Sequence, residues 1–116
     1  MKVEDMLGWL NKLPTEFLDY KIVKYSDKKE VVISDITNIE TDDNNKEILL
    51  SSEEDVECLK MKDLKNYLLK IFPSYEVVNI TSGDIPGTDK CYRLDCPIIA
   101  IDVSIVNSLV LMIQNE

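Results

Sequence analysis

The chain contains two similar stretches, VEDMLGWLNKL at residues 3–13 and MKDLKNYLLKI at residues 61–71. Apolar residues in both recur at the three- and four-residue spacing that marks one face of a helix. A proline follows each stretch, Pro14 and Pro73, where it cannot continue a helix. We therefore predict an amphipathic helix at the start of each half. Three positions are identical between the stretches: Asp5/Asp63, Leu10/Leu68 and Lys12/Lys70.

A second similarity follows the helices, DYKIVKY at residues 19–25 and SYEVVNI at residues 74–80, and its β-branched and aromatic content predicts strands. The fold prediction is α+β, with two repeated helix–strand–strand–strand units forming a mainly antiparallel sheet against which the helices pack. The chain is then one compact domain of two pseudo-repeats, 1–55 and 56–116. The alternative is a chance coincidence of two helix–proline–strand patterns. The link Ser51–Lys60 fits either a helix or a short strand. The further strands are predicted at Glu30–Glu40, Lys46–Ser51, Pro97–Val106 and Leu109–Gln114.

Composition narrows the function mainly by exclusion. The 116 residues include 45% hydrophobic and 30% charged side chains, which is typical of a globular protein. Histidine is absent, which removes the usual general base and the commonest metal ligand. Asp42-Asp43-Asn44-Asn45 lacks the glycine and terminal glutamate of a calcium loop. We predict no catalytic residues, no metal and no cofactor; a ring-lined ligand pocket at Trp9 and Tyr67 is the alternative to a core role for those residues.

Three cysteines, Cys58, Cys91 and Cys96, form an odd set without a secretory leader before them. This predicts free thiols in a reducing cytoplasm. Cys91 and Cys96 can pair only if the chain between them turns back. The nearly uncharged run from residue 97 to 114 is rich in β-branched residues and predicts two strands, so no membrane segment is expected.

Negative charge is concentrated in residues 40–57. The formal net charge is −9. A surface of this kind repels nucleic acid and anionic membranes and attracts a basic protein surface. The alternative is a solvated acidic face that keeps a small protein soluble. The predicted protein-binding residues are Glu40, Asp42, Asp43, Glu47, Glu53, Glu54, Asp55 and Glu57.

The C-terminal strands are apolar on both faces, and such strands are usually covered on both sides. A second copy of the chain is one possible cover, so a homodimer is a hypothesis. Its predicted interface residues are Ile99, Ile101, Val103, Ile105, Leu109, Leu111 and Ile113.

The opening Val3-Glu4-Asp5-Met6-Leu7, followed by Leu13-Pro14 and a strand from Asp19 to Val23, resembles the start of many small accessory proteins of phages and mobile elements in low-GC bacteria. The resemblance implies an accessory protein, and some of these block host defence systems by binding them. The leading hypothesis is a non-enzymatic acidic inhibitor of a basic nucleic-acid-handling defence protein, similar to anti-CRISPR proteins. The alternatives are an immunity protein against a toxin nuclease and a small homo-oligomeric structural subunit.

Overall fold

The computed structural model describes residues 1–28 and 30–115, and these form an α+β fold with a seven-stranded mixed sheet. The helices are α1 (Val3–Lys12) and α2 (Met61–Leu68), and a 3-10 helix covers Thr15–Asp19. The strands are β1 (Lys21–Ser26), β2 (Val32–Asp35), β3 (Asn38–Asp42), β4 (Glu47–Ser51), β5 (Glu76–Asp84), β6 (Cys91–Ser104) and β7 (Leu109–Gln114).

Both predicted helices are present, and each buries the face that its apolar spacing defines. Val3, Met6 and Leu10 of α1 are fully buried. Leu64 and Leu68 of α2 are equally inaccessible. The two helices contact the same core, which the inner face of the sheet completes. Helix formation here depends on this shared burial, because isolated helices of ten residues or fewer are marginal in water.

The strand order is β2-β1-β7-β6-β5-β4-β3. Four neighbouring pairs are antiparallel, and two, β1–β7 and β4–β5, are parallel. The predicted α+β class is therefore confirmed, whereas the sheet is mixed. The repeated helix–strand–strand–strand unit is not confirmed in that form, because four described strands follow α1 and three follow α2.

The sheet curls until its two edges nearly meet. The edge strands β2 and β3 stand at opposite ends of the order, yet only Ile36 and Thr37 separate them in the chain. Ile36 N donates to Ile22 O of β1 at 3.1 Å, and Thr37 N donates to Ser51 O of β4 at 2.9 Å. These two bonds connect both edges to their neighbours at one point, so the inner face of the sheet is strongly concave.

Strand β6 changes partners halfway along its length. Its first half pairs with β5 as far as Pro97, and its second half pairs with β7 from Ile98 onward, with a register shift before Ala100. Proline has no N–H to give to a ladder and is tolerated at such irregularities. Because of the bend at Pro97, β6 pairs with β5 through its first half and with β7 through its second half, and so joins the two halves of the curled sheet.

Several predicted boundaries are corrected. The predicted strand Glu30–Glu40 is two strands, β2 and β3, because the chain crosses between the edges at Ile36 and Thr37. The predicted strand Pro97–Val106 is the second half of β6, which begins at Cys91. The ambiguous link after β4 forms neither helix nor strand, but a turn at Glu54 and Asp55. Strands β4 and β7 agree with prediction.

Candidate protein-binding face

Three carboxylates lie side by side on three neighbouring strands. Asp42 of β3 is in register with Glu47 of β4, and Glu47 is in register with Glu76 of β5. Adjacent strands are about 4.8 Å apart, so this row places like charges directly opposite one another. Such pairs destabilise a sheet.

The row lies on the outer face of the sheet. Ile48 and Leu50, which flank Leu49 along β4, are fully buried in the core, so alternation directs Glu47 outward. The same alternation places Glu40, opposite Leu49, and Asp95, opposite Ile80, on that outer face. We define the acidic face by its five carboxylates: Glu40, Asp42, Glu47, Glu76 and Asp95.

Two cationic groups contact the acidic face, and each is held by one carboxylate. Arg93 donates from Nε to Asp95 Oδ1 at 2.8 Å and from Nη2 to Oδ2 at 3.2 Å. The Met1 nitrogen lies 3.0 Å from Glu76 Oε2. Among residues 1–28 and 30–115, Glu47 has no hydrogen-bond or ion-pair partner within the usual distances. Glu47 is therefore the centre of the face and its least compensated charge.

The titration of Glu47 reflects this position. Partial burial is the main cause that raises the pKa of its carboxyl, and repulsion from Asp95 and Asp42 raises it further. Arg93 acts in the opposite direction. A positive charge arriving from outside would offset the repulsion that Glu47 receives from Asp42 and Asp95.

Asp42 and Asp43 also have structural roles in the β3–β4 turn. Asp42 Oδ1 accepts from the backbone N–H groups of Asn44 and Asn45, both at 3.1 Å, and Oδ2 accepts from the Asn45 amide at 2.9 Å. The bonds from Asn45 lower the pKa of Asp42. Asp43 accepts from the Tyr75 hydroxyl at 2.9 Å, which raises the pKa of that hydroxyl. The oxygen-rich sequence therefore builds a hairpin turn.

The remaining predicted acids lie at the other end of the hairpin. We name Glu53, Glu54, Asp55 and Glu57 the acidic loop, and all four are exposed. Strand β4 runs four residues from Glu47 to Ser51, about 14 Å at about 3.4 Å per residue, and the acidic loop begins two residues later at Glu53. Glu53, Glu54 and Asp55 border a shallow cleft of about 390 Å³ with Ile33 and Val56. The structure therefore divides the predicted acidic run into two surfaces.

The predicted oligomer interface is also divided. Ile101 packs against the core, and Val103 shares that inward face because it pairs with the buried Val110. Leu109, Leu111 and Ile113 alternate with buried residues of β7 and lie half-buried on the outer face. Of the predicted set, Ile99 and Ile105 are the two largely exposed residues.

Trp9 and Tyr67 do not share a role. Trp9 is 51% exposed, and the Lys12 ammonium lies 5.8 Å from its ring centroid. Tyr67 packs against the core, and its hydroxyl lies 2.7 Å from Thr41 Oγ1. Cys91 and Cys96 both lie in β6, and five extended residues span about 16 Å, so these two cysteines cannot pair.

Sequence reasoning identified Glu40, Asp42 and Glu47 but missed Glu76, Asp95 and Arg93. These three become neighbours only through the parallel β4–β5 pairing and the first half of β6. No helix in the described part of the chain has the length and hydrophobicity needed to cross a membrane. Within the same residues, no group of three or more potential ligands is placed to hold a metal ion. No protein family, curated protein or solved structure matches the chain.

Proposed function

We propose that the chain is a non-enzymatic protein-binding module whose acidic face binds a basic protein surface. The observation that carries this proposal is the row Asp42–Glu47–Glu76, with one carboxylate on each of three adjacent strands. Asp42 and Glu76 each have a partner within the described part of the chain, but Glu47 lies in register between them without one, and like charges in register repel. A partner that supplies positive charge would offset this repulsion.

The spacing of the row supports strong attraction. Neighbouring carboxylates are about 5 Å apart, which is shorter than the Debye length of about 10 Å at 0.1 M salt. Their potentials therefore add, and the acidic face steers a cationic surface toward it. A groove built to bind phosphates presents lysine and arginine at similar density, so a nucleic-acid-handling protein is the partner class that we propose.

Within that class, the module acts as an inhibitor by occupying the groove in place of nucleic acid. The resemblance to phage and mobile-element accessory proteins supports a host defence protein as the target. The odd cysteine count and the separation of Cys91 and Cys96 along one strand support a reducing, cytoplasmic location.

The test compares two variants that remove the same charge from different surfaces. Glu40→Gln/Glu47→Gln neutralises two carboxylates of the acidic face, and Glu54→Gln/Glu57→Gln neutralises two of the acidic loop. Hexalysine serves as the probe, and amide chemical shifts locate its binding. We expect the face variant to weaken binding about tenfold and the loop variant to weaken it about twofold or less. Equal losses would show that only net charge matters and would overturn the proposal.

A second experiment tests the partner class. The tagged protein and both variants are incubated with host lysate at about 50 mM and about 500 mM salt, and the captured protein is challenged with duplex DNA. The proposal requires capture that is lost in the face variant, is retained in the loop variant and is reversed by DNA. Capture that DNA does not displace would exclude a nucleic-acid groove as the target.

We also propose that the chain arose by internal duplication, with a repeated unit of helix, strand, long bent strand and strand. Tyr20 and Tyr75 support this, because the Met61 N–H donates to Tyr20 O at 2.9 Å and the Val3 N–H donates to Tyr75 O at 2.8 Å. Each tyrosine also stacks on a phenylalanine three residues earlier. In this unit β2 and β3 together correspond to β6.

The bends of the two long strands support the same correspondence. Ile36 and Ile98 are both buried where their strands change partners. Leu59 N donates to Ile36 O at 2.9 Å, and Met1 N donates to Ile98 O at 2.8 Å. Because each helix begins on the other half, we expect residues 1–55 and 56–116, expressed together, to reassemble as a one-to-one complex. Independent folding of either fragment would contradict this interlocked arrangement.

A further inference from the structure

The concave inner face of the sheet encloses a cavity as well as the core. The core fills the inner face around Ile22 of β1 and Val77 of β5. Further along these strands, from Lys24 on β1 and at Thr81 on β5, the inner face lines a cavity of about 560 Å³. This volume lies within the range of about 300–1,000 Å³ that is typical of small-molecule sites.

The two hairpins β1–β2 and β5–β6 supply matching positions to this cavity. On each hairpin, two cross-strand pairs direct their side chains inward. At three of the four equivalent positions the side chains are similar in size: Ser34 and Cys96, Ser26 and Thr81, and Val32 and Leu94. At the fourth position the first hairpin has Lys24, which is charged, and the second has Asn79. The pairs are Lys24–Ser34 and Ser26–Val32 on the first hairpin, and Asn79–Cys96 and Thr81–Leu94 on the second.

Lys24 is the member that differs. Its Nζ donates to Ile80 O on the facing strand at 2.8 Å, and the side chain is half-buried. Within residues 1–28 and 30–115, no carboxylate oxygen lies within 4.0 Å of this ammonium. Burial is the main cause that lowers the pKa of Lys24, and the electrostatic interaction with Cys96 acts in the opposite direction.

The other charged residues at the cavity do not offset Lys24. Asp95 lines it, but its carboxylate accepts both bonds from Arg93, and alternation along β6 directs it to the outer face. Lys28, at the mouth, adds a second positive charge and is exposed. Among the described residues, an acidic protein of net charge −9 thus places two lysines, Lys24 and Lys28, at one half-open cavity.

We propose that this cavity binds a small monocarboxylate with an apolar body, its carboxylate on Lys24 Nζ and its body against Val32 and Leu94. The ligand's carboxylate would form the ion pair that no carboxylate of the described residues forms with Lys24. The side chains of Val32 and Leu94 favour an aliphatic chain or ring on the ligand, because contact with them removes hydrocarbon surface from water.

Decanoate is the test probe, and decanol is the matched neutral control. Titration of the full chain is followed by calorimetry and by intermolecular nuclear Overhauser effects to the Val32 and Leu94 methyl groups. We expect decanoate to bind about tenfold more tightly than decanol and to contact both methyl groups. Equal affinities, or contacts confined to residues outside the cavity, would overturn the proposal.

Two substitutions distinguish a specific contribution of Lys24 from an effect of the protein's overall charge. Lys24→Met should weaken decanoate binding by about tenfold to a hundredfold and leave decanol binding unchanged. Lys90→Met, in the exposed turn between β5 and β6, removes the same charge outside the cavity and should change neither. Lys24→Gln provides a second test if Lys24→Met does not fold. Full decanoate affinity in a folded Lys24 variant would refute the assignment.

Discussion

Replacing Glu47 by Gln should stabilise the protein. Gln has nearly the same shape, so the substitution keeps the packing of β4 and removes one charge from the centre of the acidic face. Glu47 is in register with Asp42 on one side and with Glu76 on the other. Like charges directly opposite one another across strands are destabilising, and the ion pair between Glu76 and the Met1 nitrogen lowers the cost of the second pair. Because solvent screens these partly exposed groups, we expect a net gain of no more than about 1 kcal/mol in the free energy of unfolding at pH 7.

The raised pKa of Glu47 determines how the stability difference between the two proteins changes with pH. The folded state raises the pKa of Glu47, so the ionised carboxylate destabilises the fold at every pH above that raised value. As the pH falls through the folded pKa, Glu47 takes up a proton and the repulsion disappears. The advantage of Glu47→Gln should therefore be complete at pH 7 and absent below about pH 4, where the unfolded chain is also protonated.

Urea denaturation of both proteins, at pH 7 and at about pH 4, measures this difference through the midpoint at constant slope. Glu57→Gln in the acidic loop serves as the control and should change stability by less than about 0.5 kcal/mol. A destabilised Glu47→Gln protein at pH 7, or a gain that persists undiminished in acid, would refute the claim that Glu47 is repelled by its neighbours. Loss of hexalysine affinity in the same stabilised variant would show that the face costs stability for the sake of binding.

Three further substitutions test the fold. Leu64→Ala removes a fully buried side chain from α2 and should cost about 2–5 kcal/mol, measured by urea denaturation; a cost below about 1 kcal/mol would contradict the shared helix core. Lys46→Gly should raise the thermal midpoint by a few degrees, because Lys46 has a φ of 55° that glycine adopts freely; a decrease would show that the Lys46 side chain stabilises the turn. Tyr75→Phe deletes the hydrogen bond from the Tyr75 hydroxyl to Asp43 and should lower the midpoint of urea denaturation at neutral pH; an unchanged midpoint would show that this bond does not stabilise the fold.

The helices were predictable because their signal is local. Met6 and Leu10, and Leu64 and Leu68, each repeat within one helical turn, and Pro14 and Pro73 stand after the helices. The break between β2 and β3 was not predictable in this way. Ile36 lies in a β-branched run without glycine or proline, and its N–H still bonds to Ile22 O of β1. The chain changes partners at the next residue, where the Thr37 N–H bonds to Ser51 O of β4.

The acidic face shows the same limit. The charge of residues 40–57 is visible in the sequence, but its division into a face and a loop follows from the geometry of the β3–β4 hairpin. Glu76 joins the face through parallel pairing with Glu47, across a separation that includes the whole of α2. Arg93 and Asp95 join it from a segment whose strand character was obscured by the following Pro97.

One curled sheet can keep opposite charges apart because alternation assigns each strand residue to one side. On β5, Thr81 lines the cavity and Ile80 faces outward beside Asp95, so a single-residue step separates the two environments. A shift of register by one residue would place carboxylates inside and apolar side chains outside. The hydrogen bonds of Ile36 fix the register of β2 against β1, and the bend at Pro97 fixes the register of β6 against β5 and β7. The same constraints that curl the sheet therefore also keep Lys24 away from the carboxylates that would neutralise it, and the acidic face away from the lysine that would reduce its attraction for a basic partner.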